Sequence, residues 1–145
     1  MSKIVFVCTG NTCRSPMAEG FFRALDGETK TGLTAASAGL YTTGGLPASE
    51  HAILTAAEKG ADISAHRTQV LTQTLVDEAN YIVCMTAAHY DRVLAAYPQA
   101  EDKLYLLVGK DVSDPFGGDL DTYRRAAAEI YTGVEHMIAR LESKA

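Results

Sequence analysis

Ile4-Val5-Phe6-Val7 is apolar without a break. A strand with one face in water alternates apolar and polar residues. A continuous β-branched and aromatic run marks a strand buried on both faces, the habit of parallel sheets covered by helices. Tyr81 to Met85 and Leu104 to Val108 read the same way, and Leu33 to Ala38 is a weaker strand ending at Gly39. Helical spacing fills the intervals: Met17, Phe21, Phe22 and Leu25; then Ile53, Ala56 and Ala57 between Pro47 and Gly60; then Ala87 to Ala96, stopping before Pro98. A last apolar stripe runs through Tyr123, Ala127, Ile130, Val134, Met137, Ile138 and Leu141. His66 to Leu75 predicts a loop with a short helical turn. Strands alternating with helices predict an α/β fold: one domain over residues 1–145, with a four-stranded parallel sheet and helices on both faces.

The 145 residues suffice for one core, and a net charge of −5 argues against a nucleic-acid or anionic-membrane surface. No signal-peptide pattern is visible and no apolar run approaches the roughly 20 residues that cross a bilayer, so a cytoplasmic protein is expected. The three cysteines, Cys8, Cys13 and Cys84, form no Cys-x-x-Cys pair, which fits neither a disulfide framework nor a structural zinc site. Reduced thiols are expected, with Cys84 in the core. His51, His89 and His136 lie on predicted helices and read as solvated.

In open α/β sheets, ligands bind beyond the carboxyl ends of the strands, and Cys8 ends the first one. The loop that follows, Thr9-Gly10-Asn11-Thr12-Cys13, is small enough to curl and point several backbone N–H groups at an anion. Ser15 reads as an N-cap with Pro16 at the first helical position, which adds the positive end of a helix dipole. Arg14 carries a planar fork matched to two phosphate oxygens. Such surroundings favour a thiolate, and a thiolate under a tetrahedral anion is placed to attack phosphorus. A nucleotide-binding loop of the Walker type is excluded, because no Gly-Lys-Ser/Thr follows.

Cys8, five residues, then Arg14-Ser15 near the N-terminus resembles the signature of the low-molecular-weight protein phosphatases. Asp114-Pro115-Phe116 before the last helix resembles their second hallmark, and the likeness covers essentially the whole chain. The resemblance implies a protein phosphatase acting through a phosphocysteine on Cys8. Arg14 would clamp the phosphoryl oxygens, and Asp114 would be general acid and then base. Asn11 would hold the loop in its strained curl, and Ser15 would hydrogen-bond the thiolate and help it leave. Thr9, Gly10, Asn11, Thr12, Cys13, Ser15 and Phe116 would bind phosphate or substrate, with Ser37 and His66 buttressing the loop from behind. It implies no metal and no cofactor, phosphorylated proteins as substrates, no nucleic acid or membrane partner, and a monomer. A protective disulfide between Cys8 and Cys13 is plausible on oxidation.

Within the family, the residue before the second cysteine sorts substrates. Tyrosine-directed members tend to carry Ile or Leu, and members resembling protein-arginine phosphatases carry threonine, as at Thr12 here. Thr9 and the run Asp114 to Gly118 also resemble the arginine class. The expectation is therefore phosphoarginine, with phosphotyrosine as the alternative. An arsenate reductase and a silent phosphate-binding module are more remote. The first needs two further relay cysteines, and the second should have lost Cys8, Arg14 or Asp114.

Overall fold

The computed structural model describes residues 2–143. Its elements run β1 (Lys3–Cys8), α1 (Arg14–Ala24), α2 (Gly27–Thr31), β2 (Thr34–Gly39), α3 (Glu50–Glu58), α4 (Gln73–Glu78), β3 (Tyr81–Cys84), α5 (Ala87–Ala96), a 3-10 turn (Pro98–Lys103), β4 (Leu104–Leu106) and α6 (Leu120–Ser143). The sheet order is β2-β1-β3-β4, with every pair parallel. No helix among the described residues is long and apolar enough to cross a membrane.

The uninterrupted apolar run of β1 divides by parity. Ile4 and Phe6 pack with Met17, Phe21 and Phe22 of α1, Ala52 and Ala56 of α3, and Ile130 and Val134 of α6. Val5 and Val7 face Leu75 and Val76 of α4, Val93 of α5, and Ile82 and Cys84 of β3. Alternate side chains of a strand leave on opposite faces, so a doubly covered strand has to be apolar at every position. Phe6, Phe21 and Phe22 are fully buried, each worth roughly 1.5–3 kcal/mol relative to exposure.

Several boundaries differ from the sequence reading. The helix expected to open at Pro47 begins at Glu50, because Ser49 supplies the cap: its Oγ accepts from the Ala52 N–H at 3.3 Å. The helical turn expected within His66 to Leu75 falls later, as α4, with Thr72 Oγ1 accepting from the Leu75 N–H. β4 ends at Leu106 rather than Val108. Leu107 N–H still bonds the Cys84 carbonyl, but the chain then bends so that Val112 N–H meets the Met85 carbonyl. That bend brings the Asp114 loop to the carboxyl end of the sheet.

Cys8 is in register with Gly39 at the end of β2. A Cβ built on Gly39 would stand 2.8 Å from the Thr9 carbonyl oxygen and 3.0 Å from the Asn11 nitrogen, both backbone atoms. The loop after β1 therefore rests directly on bare β2 backbone. Gly39→Ala should cost about 1–3 kcal/mol, the usual penalty of overpacking a rigid neighbour. Urea unfolding checks this, with a lower midpoint and an unchanged slope expected; an unmoved midpoint would mean the loop yields freely.

Candidate active site

The loop reverses at Asn11, which has φ 58° and is fully buried. The positive φ falls on Asn11 and not on the loop's glycine, Gly10. Asn, with a short polar side chain, is one of the few residues that visits this left-handed region. Its amide orientation follows from its partners. The Gln69 backbone N–H can only donate, and it lies 3.0 Å from Asn11 Oδ1. The other amide atom is therefore Nδ2, which donates to Ser15 Oγ at 2.9 Å and to Ser37 Oγ at 3.0 Å. His66 Nε2–H donates to the Asn11 carbonyl at 2.8 Å.

The proton directions propagate outward. Ser37, having accepted from Asn11, donates to Glu19 Oε1 at 2.6 Å. Ser15, having accepted from the same amide, has its hydroxyl hydrogen free for Cys8 Sγ, 2.9 Å away. This corrects the local reading of Ser15 as a helix cap. α1 begins two residues earlier, at Arg14, and its N-cap is Cys13 without a side-chain hydrogen bond. The Ser15 hydroxyl is turned inward, where it meets the buried Cys8 sulfur and the buried Asn11 amide.

Cys8, Thr9, Gly10, Thr12 and Arg14 line a cavity of about 210 Å³, with Asp114 and Phe116 at its edge. Arg14 is buried and aimed by the Val112 carbonyl, which accepts from Nη1 at 3.1 Å; its Nη2 stands 3.8 Å from Asp114 Oδ2. Asp114 is exposed, and its Oδ1 accepts from the Phe116 N–H at 3.1 Å, a turn that holds the carboxylate at the rim. The Phe116 side chain is 78% exposed, so it is free to meet whatever enters. Thr12 is held through its carbonyl, which accepts from the Ser49 N–H at 2.9 Å.

Cys13 also lines this cavity, but its sulfur lies 3.3 Å from the Tyr123 hydroxyl and 3.6 Å from Ser49 Oγ. Burial and the Cys13 contact push the Tyr123 phenol above its ordinary pKa. Cys84 sits in β3 with no exposure, and burial pushes its thiol up to about 12, as befits a core residue. Among the described residues, no group of three or more His, Cys, Asp or Glu is placed to hold a metal.

Sequence reasoning missed Glu19, Gln69 and Gly39, and it misplaced His89. His89 is buried rather than solvated, with Nε2 2.8 Å from Thr9 Oγ1. It is the third residue of α5, whose start at Thr86 follows the end of β3. A helix leaving the carboxyl end of the strand beside β1 turns its first turn toward the β1 loop. That position was the available signal.

A model of the low molecular weight phosphotyrosine protein phosphatase family matches residues 3–145. A protein-arginine-phosphatase from Geobacillus stearothermophilus is 36% identical, over 98% of this chain and 97% of its own. A probable low molecular weight protein-tyrosine-phosphatase, EpsP of Ralstonia solanacearum, is 34% identical over 97% and 96%. The solved structure of the YwlE arginine phosphatase from Geobacillus stearothermophilus superposes with a TM-score of 0.90, at 36% identity, covering 98% of this chain and 94% of that one. With a matching family model over nearly the whole chain, the chain belongs to the low molecular weight phosphotyrosine protein phosphatase family, whose members are cysteine-dependent phosphatases.

Proposed function

We propose that Cys8 is the nucleophile of a protein-arginine phosphatase. The observation that carries the chemistry is the directed hydrogen-bond chain from Asn11 through Ser15 to Cys8 Sγ. It presents a proton donor to the sulfur, which stabilises a thiolate before attack and as a leaving group. The thiolate attacks phosphorus, an S–P bond forms, and the P–N bond to the guanidinium breaks as Asp114 delivers a proton to the departing nitrogen. The Asp114 carboxylate then takes a proton from water, which attacks phosphorus. The S–P bond breaks, releasing inorganic phosphate and restoring the thiolate. Arg14 and the N–H groups of the loop stabilise the charge on the equatorial oxygens without a cation.

Thr12 supports arginine as the substrate residue. It lines the cavity, where a hydroxyl could orient the attacking water and a β-branch would narrow the space against a phenol ring. Asp114 at the mouth can hold a guanidinium by paired hydrogen bonds. The relative named a protein-arginine-phosphatase fits the same reading. Phe116 favours a second reading, phosphotyrosine, because its exposed ring suits a phenyl group as well as a guanidinium plane. The cysteines disfavour an arsenate reductase, since the thiol remaining beside Cys8 and Cys13 is Cys84, buried in the sheet.

Three outcomes follow. Cys8→Ser should fold, bind phosphate and show no turnover; normal turnover would remove Cys8 from the mechanism. Asp114→Asn should lower kcat by roughly 10²–10⁴-fold, the worth of a positioned acid or base, and by less for p-nitrophenyl phosphate, whose leaving group needs little protonation. Equal losses on good and poor leaving groups would make Asp114 structural. Thr12→Ile should shift the ratio of kcat/KM for phosphoarginine over phosphotyrosine down by about tenfold to a hundredfold, the scale of one lost hydrogen bond. If the parent protein already prefers phosphotyrosine, or both rates scale together, the tyrosine reading replaces the arginine one.

A further inference from the structure

His89 touches the loop that lines the cavity but does not itself line it. Its Nε2 lies 2.8 Å from Thr9 Oγ1, while its Nδ1, also buried, has no hydrogen-bond partner. Burial, aided by the positive charge of Arg14, holds the ring's pKa down to about 4, against the opposite pull of Asp114 and Asp111. The imidazole is therefore neutral at pH 7 and carries a single N–H. Placed on Nδ1, that N–H would be buried and unpaired, an arrangement rare in folded proteins. Placed on Nε2, it is paired with Thr9. An imidazole with one orphaned nitrogen is a costly way to fill space that an apolar side chain would fill without penalty.

We propose that His89 is a positioning residue for the phosphatase reaction: its Nε2–H donates to Thr9 Oγ1 and so turns the Thr9 hydroxyl hydrogen into the cavity, as a donor to the substrate's phosphoryl oxygens. The inference rests on the phosphatase reading of the Cys8 cavity and holds whichever amino acid carries the phosphate. Thr9 is exposed on the cavity side, and its carbonyl is engaged by the Tyr41 N–H at 2.9 Å. The backbone of Thr9 is thus fixed from the segment after β2 and its side chain from α5. With its oxygen occupied as an acceptor, the Thr9 hydroxyl is a donor aimed at an anion. This is the same directional logic that Asn11 imposes on Ser15, applied from the opposite face of the sheet.

Two measurements test this. A long-range ¹⁵N–¹H correlation spectrum at pH 7 should show the His89 ring protonated on Nε2; protonation on Nδ1 would make Thr9 the donor to the ring and overturn the proposal. In kinetics with p-nitrophenyl phosphate, His89→Leu and Thr9→Val should each lower kcat/KM by about threefold to tenfold, the worth of one neutral hydrogen bond. The double variant should fall no further than the lower single, because both remove one interaction. His89→Gln, which offers an N–H at similar reach, should recover most of the loss. Additive losses, or a His89→Leu protein as active as the parent, would also overturn it. Should His89→Leu fail to fold, Thr9→Val and the tautomer decide: a Thr9→Val protein as active as the parent would overturn the proposal. A Cys8→Ser protein that still turned over would break the phosphatase reading and leave the ring's tautomer to be read on its own.

Discussion

The active loop depends on one residue held in an unfavourable backbone conformation. Left-handed φ costs an ordinary L-residue roughly 1–2 kcal/mol, and Asn11 also buries a whole amide. Both costs are offset by hydrogen bonds from four directions: Ser15 on α1, Ser37 on β2, and Gln69 and His66 on the segment before α4. Loss of any one partner would leave a buried polar atom unpaired, at about 1–3 kcal/mol. The loop is therefore as rigid as the elements around it. A cradle for phosphate needs that rigidity, since donors fixed before the substrate arrives need no reorganisation in the transition state.

The same residue determines where protons point. A side-chain amide oriented by a backbone N–H can only donate through its nitrogen, so both serines that meet it must donate elsewhere, one to Cys8 and one to Glu19. Arg14 is treated likewise, its guanidinium committed in part to the Val112 carbonyl. In this site, the side chains around Cys8 are aimed by neighbours that do not line the cavity. The proposed specificity would rest on the same layer. Thr9 and Thr12 face the cavity, but His89 on α5 and Ser49 ahead of α3 hold them there.

The sheet order explains how so many elements converge on one loop. β1 lies between β2 and β3, so the segments after all three strands meet at its carboxyl end. The segment following β2 supplies Tyr41, α5 follows β3 and supplies His89, and the loop beyond β4 returns along β3 to supply Val112 and Asp114. Gly39 lets the β1 loop settle onto β2 without a side chain between them.

What the sequence determined by itself was local. A four-residue apolar run implied a strand covered on both faces, helical spacing implied the helices, and Cys8, Arg14 and Asp114-Pro115-Phe116 carried the family resemblance. These signals survive without coordinates because periodicity, capping and motif spacing involve residues within a few positions of one another. The tertiary structure decided what depends on distant partners. His89 reads as solvated on a helix until packing brings it to Thr9, 80 residues earlier in the chain. Ser15 reads locally as a cap, and its place beside the Cys8 sulfur came from the family resemblance rather than from any spacing rule. Glu19, Gln69 and Gly39 carry no local mark, because hydrogen-bond direction and close backbone approach are set only when separate elements meet, and no spacing rule along the chain encodes that meeting.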